Sequence, residues 1–114
     1  MHELSVTESI LEISLRHANN ANAKHVTNIY LVIGQLASII DDSVQFYWDI
    51  ISKGTLADRA ILHFRRIPTT LSCLECFKEF LPGNDSFDCP DCKSHHVKII
   101  TGEEFYMEAI DIET

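Results

Sequence analysis

A chain of 114 residues is long enough for one compact domain, or for a small core carrying a satellite module. Hydrophobic residues make up 46% and charged residues 23%, the balance of a folded globular protein, which excludes global disorder. The 17 acids against 9 bases leave a formal charge of −8. That argues against nucleic acid as the main partner, since affinity for a phosphate backbone comes mostly from Lys and Arg releasing counterions.

No apolar run approaches a membrane span, and no basic region followed by a hydrophobic one opens the chain, so a soluble, cytoplasmic protein without a membrane partner is expected. The first residues are Met1, His2 and Glu3. Apolar positions at Val6, Ile10, Ile13 and Leu15, with Ala18, then recur at helical spacing from Leu4 to about Asn20. The Asn-rich stretch from Asn19 ends that helix. Val26 to Gly34 is rich in β-branched residues, with Ile29, Leu31 and Ile33 alternating onto one face of a strand.

A second helix follows, with Asp41 or Asp42 as its expected cap, Val44, Tyr47, Trp48 and Ile51 as its buried stripe, and Gly54 at its stop. Ala60 to Ile67 is a second strand, with Leu62 and Phe64 on one face and Ile61 and His63 on the other, closed by Pro68. From about Thr70 to His96 apolar residues thin out, and Pro82, Gly83 and Pro90 appear. Strand-like sequence returns at Val97 to Ile100 and again from Glu103 to Ile112. In that last run the apolar positions change parity, from Phe105 and Met107 to Ile110 and Ile112, which predicts a bulge or an imperfect register. The expected fold class is α+β: two helices packed on a small, mostly antiparallel three-stranded sheet, built from residues 1–69 and 97–114, with residues 70–96 inserted as a separate ribbon module that holds all four cysteines, Cys73, Cys76, Cys89 and Cys92, the basis for reading it as a zinc ribbon.

Cys73 and Cys76 form one C-x-x-C pair, and Cys89 and Cys92 another. A C-x-x-C turn lets two thiolates converge from one short loop, and two facing loops complete the tetrahedron that Zn²⁺ prefers. Pro82, Gly83 and Asn84 supply the turn between them. Two disulfides or a redox pair fit less well, because an activated thiol usually sits at a helix start after a strand, and these pairs lie in turn-rich sequence. His95 and His96 are candidates for ligand exchange with the zinc shell, or simply solvated residues.

At the N-terminus, the bulky His2 should discourage removal of Met1. The Met1 amine, the deprotonated His2 amide and the His2 imidazole can then form fused chelate rings, a nitrogen-rich planar geometry suited to Ni(II) or Cu(II), with Glu3 or another carboxylate closing the fourth position. On chemistry alone, exposed residues ahead of a helix explain His2 and Glu3 equally well.

With "MHEL" at the terminus, "VIGQL" closing the first strand, "KGTLA" after the second helix, the paired "CLEC" and "CPDC", and the "GEE" turn before the last strand, the chain resembles the HypA/HybF family of hydrogenase nickel-incorporation proteins over its whole length. The resemblance implies a nickel metallochaperone that binds Ni(II) at the N-terminus, works with a nickel-handling maturation GTPase and delivers the metal towards the large subunit of a nickel-iron hydrogenase. It implies His2 as the essential nickel ligand, Glu3 in support through its backbone nitrogen, and zinc on Cys73, Cys76, Cys89 and Cys92. The family often carries a nickel-ligating acid six residues after the glycine of "VIG". Here that position is Ile40, with Asp41 next to it, so Asp41 is the candidate, alongside its helix-capping role.

Two other function classes compete. A zinc-ribbon adaptor for protein or nucleic acid would suit the module, although the stretch from Cys73 to His96 has two lysines, no arginine and five acids, the wrong balance for phosphate. A zinc hydrolase would need an open coordination position, which an all-cysteine shell lacks, so no enzyme is expected. An exposed ribbon and a β-edge could support a homodimer.

Overall fold

The computed structural model describes residues 3–83 and 86–114. In chain order the elements are α1 (Glu3–Asn20), β1 (His25–Gly34), α2 (Asp41–Ile51), β2 (Ile61–Ile67), β3 (Thr70–Cys73), β4 (Glu79–Phe80), β5 (Val97–Thr101) and β6 (Phe105–Glu113).

α1 buries Thr7, Ile10, Ser14 and Ala18. The stripe is helical in spacing but differs from the expected one: Val6, Ile13 and Leu15 are only partly buried, and two hydroxyls take core positions. Both hydroxyls donate hydrogen bonds, Thr7 Oγ1 to the Glu3 carbonyl and Ser14 Oγ to Met107 Sδ at 3.5 Å, which makes their burial tolerable. The helix ends in a Schellman motif. Asn22 takes φ +54°, its N–H bonds the Asn19 carbonyl at 3.1 Å, and the Ala23 N–H reaches back to the Ala18 carbonyl at 2.9 Å.

The N-cap of α2 is Ile40, at φ −102° and ψ 121°, with no side-chain cap bond. The expected cap at Asp41 or Asp42 is therefore corrected: both lie inside the first turn, where their charge faces the positive end of the helix dipole. Val44 and Trp48 are buried, and Tyr47 and Ile51 partly so. Gly54, at φ +78°, turns the chain three residues past the helix.

One sheet has the order β2-β1-β6. The Lys24 N–H bonds the Glu113 carbonyl and the Gly34 N–H bonds the Glu104 carbonyl, so β6 runs antiparallel to β1. β1 spends one more residue than β6 between those two bonds, the footprint of a bulge. β2 runs parallel to β1, because Asn28 pairs with His63 and Gln35 further on pairs with Ile67, and α2 is the crossover such a pair requires. Ile29, Leu31 and Ile33 are all buried at 1% exposure or less, on the face that the alternation predicted.

The second sheet, β4-β3-β5, is antiparallel throughout. Leu71 pairs with Phe80 on one side and Ile99 on the other, and Cys73 pairs with Val97. β5 was expected to belong to the helix-bearing part; its pairing with β3 places it in the cysteine-bearing sheet instead. The chain divides into two compact units. One comprises residues up to Val32 with Ser38–Arg65 and Tyr106–Thr114, and the other Ile33–Ala37 with Arg66–Phe105. The first has a core of Ile10, Ala18, Val26, Ile29, Leu31, Val44 and Trp48. In the second, Leu71, Cys73, Phe80 and Cys89 form a small buried cluster, with Val97 packed on it. So few apolar side chains, each contributing about 1.5–3 kcal/mol, are a thin core for a sheet, which is the situation in which small modules add a metal.

Candidate metal centre

Cys73 ends β3, and Cys89 lies in the long connection between β4 and β5. Their two C-x-x-C segments repeat the same backbone design. The Phe77 N–H bonds the Cys73 carbonyl at 3.0 Å, as the Lys93 N–H bonds the Cys89 carbonyl at 3.0 Å. The Cys73 N–H bonds the Lys78 carbonyl and the Cys89 N–H the Ser94 carbonyl, at 2.9 and 3.0 Å. Phe77 and Lys93, each directly after the second cysteine, sit in the left-handed region at φ +63° and +64°. This tight reversal turns the N–H groups of Glu75 and Cys76 onto the Cys73 sulfur, both at 3.4 Å. Neither position is a glycine, so nothing in the residue types announced the reversal.

The four sulfurs lie within 4.8 Å of one another. Across the two loops, Cys73 approaches Cys92 and Cys76 approaches Cys89, each at 3.5 Å. A disulfide would need about 2.05 Å, and all four cysteines are free. A tetrahedron with Zn–S bonds of about 2.3 Å has edges of roughly 3.8 Å, so the observed spacing fits zinc with small adjustment. Cys73 and Cys89 are buried, Cys76 and Cys92 exposed. The Cys76 backbone N–H, overcoming the effect of burial, lowers the Cys73 thiol to about 6, and the Cys92 N–H lowers the Cys89 thiol below its ordinary value. The backbone N–H of Lys78 favours the Cys76 thiolate, and that of Ser94 the Cys92 thiolate. The neighbouring sulfurs outweigh both, raising Cys76 through Cys89 and pushing Cys92, through Cys73, up to about 12. The site is thus built to stabilise negative sulfur first on its two buried members, which is the form a metal binds.

His95 and His96 are not among the clustered ligands. The His95 Nδ1 lies 2.5 Å from Asp88 Oδ1, and the His96 Nδ1 lies 3.1 Å from Glu75 Oε1. The Asp88 carboxylate raises His95 above the ordinary imidazole value, and His95 in turn lowers Asp88. These two carboxylate partners had no signal in the sequence. Among the described residues, the four cysteines are the one group of three or more clustered His, Cys, Asp or Glu side chains.

Of the residues expected around nickel, Glu3 is the first residue of α1 and Asp41 the first of α2. Those two helices pack against each other. Ile40, where the family often has an acid, is 60% exposed. Met1 and His2 lie outside the described residues.

The whole chain finds relatives. The family model described as hydrogenase/urease nickel incorporation, metallochaperone, hypA, matches residues 1–112. A hydrogenase maturation factor HypA of Dehalococcoides mccartyi is 40% identical over 113 residues, covering 99% of this chain and 95% of the relative. Another from Caldanaerobacter subterraneus subsp. tengcongensis is 39% identical over 114 residues, covering 99% of this chain and all of the relative. The solution structure of the Ni metallochaperone HypA from Helicobacter pylori matches with a TM-score of 0.68 at 23% identity, covering 99% of this chain and 98% of its own. A second solution structure of a HypA protein matches with a TM-score of 0.74 at 24% identity, covering 98% and 96%. At such identities the structural likeness speaks for the fold, while the family match and the closer sequences speak for membership. The chain belongs to the HypA family of hydrogenase and urease nickel-incorporation metallochaperones.

Proposed function

We propose that the chain carries one Ni(II) at its N-terminus, held by the Met1 amine, the His2 amide and imidazole and by Glu3, with Asp41 as the candidate carboxylate, while Cys73, Cys76, Cys89 and Cys92 hold a structural zinc. The observation that carries this reading is the closure of the thiolate cluster. Four sulfurs within 4.8 Å of one another satisfy a tetrahedral ion completely, leaving no position from which a cargo metal could be handed on. A transferable ion needs another donor set, and a free amine beside an imidazole has the nitrogen-rich chemistry that nickel favours. Because α1 starts at Glu3, the proposed chelate would lie immediately before its first turn.

On this reading the protein is a carrier and not a catalyst. It works in the cytoplasm with a nickel-handling maturation GTPase and the large subunit of a nickel-iron hydrogenase, alone or as a homodimer. No described helix is long and apolar enough to cross a membrane. The test is metal content of the untagged protein after nickel exposure and dialysis. One retained zinc and one exchangeable nickel per chain are expected, with His2→Ala losing only the nickel. Zinc without nickel in the unaltered protein would favour an adaptor built on the ribbon.

A further inference from the structure

β6 is an edge strand: within its sheet it pairs with β1 alone among the described residues. Edge strands present a row of unpaired N–H and C=O groups, and proteins commonly blunt them with proline or lysine. β6 reads Phe-Tyr-Met-Glu-Ala-Ile-Asp-Ile-Glu, with neither. The Glu113 carbonyl accepts from Lys24 and the Asp111 carbonyl from Thr27 Oγ1, so these groups face β1. Alternation then turns the N–H and C=O of Ile110 and Ile112 outward, along the free edge.

Beside that edge lies a groove of about 390 Å³, lined by Met107, Glu108, Ala109, Ile110 and Ile112 of β6 and by His17 and Ala21 at the end of α1. β6 carries acids as well as apolar residues. Glu108 is paired with Arg65 at 3.1 Å. Asp111 accepts from Tyr30 Oη at 2.8 Å and Asn28 Nδ2 at 3.2 Å, two neutral donors that orient its carboxylate without cancelling its charge. A second β6 laid on this edge would bring three more acids against Glu108, Asp111 and Glu113, with no base on either strand.

We propose that the edge of β6 and the groove beside α1 receive an extended segment of another protein, in which apolar residues alternate with lysine or arginine. Added as a strand, such a segment sends its apolar side chains into the groove and its cations alongside Asp111 and Glu108, while its backbone satisfies Ile110 and Ile112. The surface does not depend on the nickel site.

The test uses the full zinc-loaded chain and two synthetic heptapeptides, one alternating lysine with valine and one alternating glutamate with valine, followed by amide chemical shifts. The lysine peptide should give saturable shifts confined to residues 107–112 and 17–21. Asp111→Asn should weaken it by about two- to fivefold, the range of one exposed charge pair. Ile112→Pro, which removes an outward N–H at an edge position that tolerates proline, should abolish it with circular dichroism and zinc content unchanged. If that variant fails to fold, the Asp111→Asn comparison still decides. Shifts elsewhere, no shifts, or an equal response to the glutamate peptide would overturn the proposal. Concentration-dependent shifts of these same amides without peptide would overturn it in favour of a second copy.

Discussion

A β-carbon on Gly34 would lie 2.1 Å from the carbonyl oxygen of Gly102. Gly102 itself sits at φ +119°, and a β-carbon there would lie 2.8 Å from Thr69 Oγ1. The approach is locked by main-chain bonds on both sides: the Leu36 N–H to the Gly102 carbonyl and the Gly34 N–H to the Glu104 carbonyl, each at 2.7 Å. The clash at Gly34 is with backbone, which cannot rotate aside. Gly34→Ala is therefore expected to destabilise the protein by about 3 kcal/mol in urea unfolding, the upper end of the usual range for a forced core overlap. Gly54→Ala should cost only about 1 kcal/mol, since its space is open and only its positive φ resists. Similar losses at both positions would show that the close approach is not rigid.

Replacing Cys73 or Cys89 by serine removes one of the two buried thiolates. Metal binding and folding are coupled in such modules, so zinc content should fall well below one per chain and the β3–β5 amide signals should collapse. The α1–α2 part has its own core and should keep its helical circular dichroism. Unchanged zinc stoichiometry in both variants would refute the four-sulfur site.

Lys93 occupies a left-handed conformation that costs a non-glycine residue roughly 1 kcal/mol or more. Lys93→Gly should remove that strain at the expense of some chain entropy, for a net gain of about 0.5 kcal/mol. Slower zinc release to a chelator than from the unaltered protein is the expected readout. Faster release would mean that the Lys93 side chain, whose Nζ bonds the Pro90 carbonyl at 3.3 Å, outweighs the backbone term.

The Tyr30 phenol donates to Asp111, and that hydrogen bond, with the carboxylate's charge, raises it above the ordinary tyrosine value. The folded form therefore binds its proton more tightly than the unfolded chain, an effect present below about pH 10 and lost as pH rises through the folded value. Phenolate absorbance in alkaline titration should appear later for Tyr30 than for free tyrosine, and Asp111→Asn should bring it back. An unchanged titration in that variant would break the assignment.

The terminal chelate predicts that a single glycine added before Met1 lowers Ni(II) affinity although every side chain remains, because the amine becomes an amide. Affinity should also fall with pH, as protons compete for an imidazole of reference pKa about 6.5 and an amine of about 7.7. Equal titrations with and without the added glycine would leave His2 to act through its imidazole alone.

The four-cysteine cluster was legible from spacing, because two C-x-x-C pairs have few other physical uses, and the buried face of β1 at Ile29, Leu31 and Ile33 was legible from the alternation of a strand. The order of elements followed from periodicity and from turn residues in the same way. Local pattern could not decide what depends on a distant partner. Thr7 and Ser14 became core residues because a carbonyl one turn back and the Met107 sulfur satisfy them. β5 joined the cysteine sheet because β3 offered it a register, although its sequence suits either sheet equally. The glycines of "VIGQL" and "GEE" could be recognised as motifs, but their reason is an approach between segments far apart in the chain, which only the tertiary structure supplies. Composition and spacing determine which groups can bind a metal; the fold determines which of them meet.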